Sequence, residues 1–281
     1  MTDSVPIRFD GQVAVVTGAG RGLGAAYARL LAARGAAVVV HDAGVAPDGS
    51  GADPSVADAV ARDIVTNGGT AVACHDSLES GEACRRVVQL AVDRFQRIDA
   101  LIHNAGLVGF ADVEATDSAT WNRMVNLGVH APFHLVQAAL PHMRRQRYGR
   151  IVLTTSGRAM RTDWAAPGLV AYSVGKMAQL GLMVGLAADV GDADIRVNAI
   201  SPVAATRVLR RHAPELRPEH VAPGVVFLVS AQCDFSGVVL RAAGGKFSMA
   251  RWDVTEDADF GSEPAAPEAI AARWREIAGQ G

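Results

Sequence analysis

The chain has 281 residues, 49% apolar and 20% charged, long and apolar enough to bury the core of one α/β domain. A formal net charge of −2 provides no electrostatic footprint for nucleic acid or an anionic membrane, so neither partner is expected. Cys74, Cys84 and Cys233 are scattered without a CxxC pair and the eight histidines show no ligand spacing, which argues against a disulfide framework or a metal site.

The first residues, MTDSVPIRFDGQ, have no charged-then-apolar signal pattern, and no apolar run is expected to reach the length of a membrane span. The final AGQG is not a peroxisomal address, so the expected compartment is the cytoplasm.

Short β-branched runs alternate with longer helical patterns. Strands are predicted at 12–16, 37–41, 70–75, 99–103, 150–154, 196–200 and 238–242. Helices are predicted at 23–34, 56–67, 81–95, 121–145, 170–190 and 220–230. This order implies a Rossmann-like, doubly wound α/β fold: a parallel sheet of about seven strands, helices on both faces, in a single domain. Several strands are continuous apolar runs, as strands buried on both faces should be. Segments 44–54 and 157–168 read as insertions. The core spans about 10–245, and the acidic, Pro-containing tail with a short amphipathic stretch at 267–277 reads as an appendage.

Between the first strand and first helix lies Thr17-Gly18-Ala19-Gly20-Arg21-Gly22-Leu23-Gly24. Glycines there let the backbone turn tightly and approach a pyrophosphate, which the free N–H groups of the helix terminus then hold. A tight turn without a ligand is the plainer alternative, but the position at the first βα junction is what dinucleotide binding requires. Asp42 ends the second strand, where a carboxylate accepts hydrogen bonds from ribose hydroxyls and repels an extra phosphate, so NAD is expected over NADP. Arg21 inside the glycine loop points the other way. Asp76, followed by Ser77, either accepts from the adenine amino group or caps a helix.

Tyr172-Ser173-Val174-Gly175-Lys176 places a phenol and an ammonium on one helix face. A tyrosine base at neutral pH needs its pKa lowered by about 3 from its usual value near 10. A lysine cation and an oxidised nicotinamide can supply that. Ser156 closes the fifth strand, pointing into the crevice where such sheets bind ligands, or else simply caps the loop. Asn126 in the long helix is a relay candidate or a core amide. Asn104-Ala105-Gly106 reads as sheet support.

Taken together, TGAGRGLG, Asn104-Ala105-Gly106, Asn126, Ser156, YSVGK and Arg196-Val197-Asn198-Ala199-Ile200-Ser201-Pro202 resemble the short-chain dehydrogenase/reductase superfamily over about residues 10–245. The resemblance implies Tyr172 as general acid/base, Lys176 binding ribose and tuning Tyr172, Ser156 orienting substrate and Asn126 holding a relay water. Gly106, Pro202 and Thr206 would lie along the cofactor, Thr206 near its carboxamide. It also implies a homodimer or homotetramer.

A narrower likeness, carried by ACHDSLES at 73–80 and RPEHVAP at 217–223, is to the dehydrogenase part of the multifunctional β-oxidation enzymes, and implies NAD and a 3-hydroxyacyl-CoA. Ser156 and Tyr172 are 16 positions apart, a longer separation than usual in that family. Arg158, Arg161, Asp163 and Trp164 fill the intervening loop, and Val203 follows Pro202 where glycine is usual. That loop favours a rival small-molecule substrate, a steroid, polyketide or other ketone. A dinucleotide-sensing protein without turnover is the reading from another class.

Overall fold

The computed structural model describes residues 5–46, 49–191, 193–205 and 213–279. The first strand, β1 (Val13–Thr17), is buried on both faces and leads through the glycine loop into α1 (Gly22–Ala33). The chain continues through β2 (Ala37–His41), α2 (Ser55–Thr66), β3 (Thr70–Cys74), α3 (Gly81–Phe95) and β4 (Ala100–His103). Ser80 starts α3 by accepting the Ala83 N–H on its hydroxyl, and Gln96 ends it in a left-handed conformation.

The helix predicted over 121–145 is interrupted. It consists of α4 (Ser118–Val125), a π-helical stretch Asn126–His130 and α5 (Ala131–Gln146). Pro132 is the reason that the sequence offers: it has no N–H for the Gly128 carbonyl, and the helix widens so that Ala131 N–H reaches back to the Asn126 carbonyl.

Then follow β5 (Gly149–Thr154), a short α6 (Gly157–Met160), α7 (Val170–Asp189), β6 (Ile195–Val203), α8 (Ala222–Leu228), β7 (Val239–Ala243) and β8 (Lys246–Ala250). The sheet order is β3-β2-β1-β4-β5-β6-β7-β8, and every pairing from β3 through β7 is parallel. Strand order reverses between β1 and β4, which opens the ligand crevice at their carboxyl ends. The eighth strand is one more than expected. Gly244 and Gly245, at φ 54° and 76°, turn the chain back in a tight hairpin, and the exposed strand beyond has little of the apolar patterning by which the others are legible.

Helix α7 is long and apolar enough to cross a bilayer, contrary to the expectation that no run would be. Ala171, Leu180 and Met183 are buried on its inner face, while Val174 and Val184 are exposed.

The chain divides into two compact units, one up to Met249 and one from Ala250 onward. In the second, the expected amphipathic stretch forms two short helices, α9 (Pro267–Ala272) and α10 (Trp274–Ile277), with the Arg273 guanidinium over the Phe260 ring.

Candidate active site

At the carboxyl end of β1, Thr17 organises the crevice floor. Its hydroxyl accepts the N–H groups of Asn104 and Ala105, both at 3.1 Å, which turns its own hydrogen toward His103 Nδ1, also 3.1 Å away. The imidazole then carries its hydrogen on Nε2 and donates it to the Leu127 carbonyl at 3.2 Å, inside the π-helical stretch. Burial, assisted by the nearby Lys176 charge, pushes the His103 pKa down to about 3, so the ring is neutral. Asn104 Nδ2 donates to the carbonyls of Thr17 and Gly18 and ties the glycine loop to β4. Gly18, at φ 64°, could carry no side chain: a Cβ would stand 2.8 Å from Ala105 Cα.

Asp42 closes the other side of that loop. One carboxylate oxygen accepts the Gly20 N–H at 3.0 Å and the other accepts the Gly44 N–H at 2.8 Å. Each oxygen keeps a lone pair for a further donor. Arg21 lines the same cavity.

The chemical end is carried by β5 and α7. Thr155 Oγ1 donates to the Lys176 carbonyl, and Lys176 Nζ donates back to the Thr154 carbonyl at 2.8 Å. The first turns of α7 are thereby pinned to the strand that ends in Ser156. Gly128 packs directly on Gly175, with a Cβ at 128 only 2.6 Å from Gly175 Cα, so the π-helical stretch lies against α7 beside Lys176. Burial pushes the Lys176 pKa down to about 8.

The Tyr172 phenol is held above its ordinary value, because burial outweighs the Ser156 hydrogen bond and the Arg158 charge. The expected lowering is from Lys176 together with an oxidised nicotinamide, and Lys176 alone does not produce it. Lys176 Nζ donates one hydrogen to the Thr154 carbonyl and lies 5.9 Å from the centroid of the Tyr172 ring. Ser156 also serves as the cap of α6, accepting the Arg158 N–H at 3.3 Å.

One cavity of about 930 Å³ runs from Asp42 to Tyr172. Of the predicted catalytic and cofactor-binding residues that the structure describes, all line it except Gly20, Gly24, Asp76 and Asn126. Gly20 and Gly24 instead shape the loop from behind, where a Cβ on either would meet neighbours at under 2.5 Å. The Asp76 carboxylate is engaged by Arg86, at 2.8 Å from Nε. Asn126 opens the π-helical stretch while its neighbour Leu127 lines the cavity. Thr206 lies outside the described residues.

Sequence reasoning did not single out Thr17, His103 or Arg241. A histidine ending the apolar strand ALIH, and an arginine inside VVLRAA, were the available signals. Among the described residues no cluster of His, Cys, Asp or Glu could hold a metal ion.

A dinucleotide suits this cavity. The glycine loop leaves its backbone bare, Asp42 retains acceptor capacity, and Gly106 keeps the space beside Lys176 Nζ clear, since a Cβ there would come to 3.5 Å. A parallel sheet with a glycine loop at its switch point and a Ser–Tyr–Lys set at the end of β5 defines an oxidoreductase of one family. The family model for short chain dehydrogenase matches residues 12–215, and the chain belongs to this family, whose enzymes bind nicotinamide dinucleotides.

The chain is 37% identical over 279 residues to mouse peroxisomal multifunctional enzyme type 2, covering 97% of this chain but 37% of that protein. It is 35% identical to the putative short-chain type dehydrogenase/reductase Rv0148 of Mycobacterium tuberculosis, covering 95% and 93% of the two chains. A short chain dehydrogenase from Mycobacterium avium superposes with a TM-score of 0.84 at 31% identity, covering 96% and 95%.

Proposed function

We propose that this protein is an NAD-dependent 3-hydroxyacyl-CoA dehydrogenase, or a 3-oxoacyl-CoA reductase when running in reverse. The observation that carries this reading is the convergence of Ser156, Tyr172 and Lys176 at one end of a cavity whose other end is Asp42. The likeness to a multifunctional enzyme type 2 across 97% of this chain supports an acyl thioester as substrate.

When bound, the dinucleotide supplies hydride in reduction and accepts it in oxidation. Ser156 Oγ holds the substrate oxygen by donating a hydrogen bond to it. Tyr172, protonated at neutral pH because burial keeps its pKa high, donates its phenolic proton to that oxygen as negative charge develops. Lys176 steadies the resulting phenolate and donates to the cofactor ribose. Asn126, at the widened turn beside α7, holds a water that returns a proton from solvent.

Asp42 accepts from the ribose hydroxyls and, by repelling a 2′-phosphate, favours NAD over NADP. Arg21 supports the contrary preference, but Asp42 is already oriented by two backbone N–H groups.

NADH consumption with a medium-chain 3-oxoacyl-CoA tests the reading, with NADPH and the corresponding free ketone as controls. Rapid turnover of the thioester with NADH is expected. No thioester turnover, with NADH binding intact, overturns the substrate assignment. It would favour a tailored ketone, a reading supported by the apolar wall of Val108, Phe110, Trp164 and Leu169.

A further inference from the structure

The cavity changes charge along its length. Among the described residues its lining carboxylates are Asp42 and Glu79, from the segments that follow β2 and β3. Around Ser156 and Tyr172 the charged lining is entirely cationic: Lys176, Arg158 and Arg241. Lys176 is assigned to Tyr172 and the cofactor ribose, and the two arginines have no carboxylate partner among the described residues.

Both guanidiniums are brought to the reaction end by the fold. Arg158 is two residues beyond Ser156, is bonded to it through the backbone, and is near enough to Tyr172 to act on its charge. Arg241 lies on β7 in register with Ser201 of β6, and its guanidinium carbon stands 4.8 Å from the centre of the Trp164 ring. Trp164 rests on Gly157, where an added Cβ would be 2.6 Å from the indole, so the ring is fixed against the serine loop.

Arg161 also stacks on Trp164, at 4.7 Å, yet it is neutralised by Asp163 and does not line the cavity. The loop's one acid is thus paired with the arginine that faces away from the site. Stacking on an aromatic face orients a guanidinium but leaves its charge and its donor edge available. Arg241, oriented in this way, and Arg158 beside Ser156 put two cations in a largely apolar concavity, which is complementary to an anion.

We propose that the substrate carries an anionic oxygen group, a carboxylate or a phosphate, which Arg158 and Arg241 bind at the substrate end of the cavity. The inference rests on the alcohol–ketone reading of the Ser156, Tyr172 and Lys176 site. Both arginines are specificity-determining residues, and Trp164 positions Arg241.

The test uses three ketones with the same 3-oxoacyl chain: the CoA thioester, the neutral N-acetylcysteamine thioester, and that neutral thioester with a carboxylate at the chain end. The wild-type enzyme should reduce at least one anionic ketone with kcat/KM about tenfold or more above the neutral one. Preference for the CoA ester identifies a phosphate, and preference for the carboxylated ester identifies a carboxylate. Arg158→Gln and Arg241→Gln should each lower the anionic-to-neutral ratio toward one. No preference in the wild type, or a ratio that both variants leave intact, overturns the proposal.

The alcohol–ketone reading fails separately, if none of the three ketones consumes NADH. Calorimetric titration of the NADH complex with CoA and with decanoate then decides the anion site. Binding weakened about tenfold by either substitution supports it, and no binding of either probe by the wild-type protein sinks it.

Discussion

Tyr172 and Lys176 show how burial sets the chemistry before any ligand arrives. A phenol kept above its ordinary pKa is a proton donor at neutral pH, which suits the reduction direction. Tyr172→Phe should lower kcat by about a thousandfold while leaving NADH affinity, read by fluorescence titration, within a few-fold of wild type. Turnover at the wild-type rate would remove Tyr172 from the mechanism.

Lys176 titrates in the opposite sense. Its pKa in the folded protein is about 8, against 10.5 ordinarily. Between those values the unfolded chain holds a proton that the folded chain lacks, so the cofactor-free protein should gain stability as pH rises through this range. NADH affinity should move the other way and weaken above about pH 8, as the charged donor to ribose is lost. Titrating NADH binding at several pH values checks this, and a profile flat through pH 9 would contradict it.

At the scale of elements, the decisive feature is the π-helical stretch and what holds it. Gly128 meets Gly175 backbone to backbone, and neutral His103 bonds the Leu127 carbonyl. Gly128→Ala should therefore push the α4–α5 helix pair off α7, costing about 1–3 kcal/mol in chemical denaturation and lowering kcat as well. A stable, fully active variant would show that the close approach has no role.

His103 makes this region sensitive to acid. Its folded-state pKa is depressed, so its contribution is complete above about pH 6.5 and is lost as pH falls toward 3. Protonating it in place would cost on the order of 5 kcal/mol. Acid unfolding monitored by circular dichroism should become shallower in His103→Gln, and an unchanged pH dependence would remove His103 as its source.

Across the whole molecule, one sheet serves two ends of a reaction. The glycine loop and Asp42 line the cavity at the carboxyl ends of β1 and β2, where we propose that they hold a dinucleotide, and β5 with α7 place Ser156, Tyr172 and Lys176 across the crevice. The outer face of α7 leaves Val174 and Val184 exposed, and α5 leaves Phe133 exposed. Such faces suit pairing about a two-fold axis, and we propose a homodimer or homotetramer. Light scattering at micromolar concentration should give two or four chain masses, and Val184→Glu should lower that number. A monomeric wild type would refute it.

Much of this was legible in the sequence because it is local. The glycine loop, the apolar strands and the tyrosine–lysine spacing each follow from backbone sterics or from periodicity within one element, and the ordered set specifies the doubly wound fold. Even the interruption of the long helix had its local cause on display in Pro132, although a continuous apolar pattern masked it. What tertiary structure alone decided depends on contacts between distant segments. It set the sign of the Tyr172 shift, the neutral state of His103, the engagement of Asp76 by Arg86, and the lining of one cavity by Arg158 from α6 and Arg241 from β7. Burial and electrostatic environment belong to a place in space rather than a place in the chain, and only the folded sheet brings these side chains to one place.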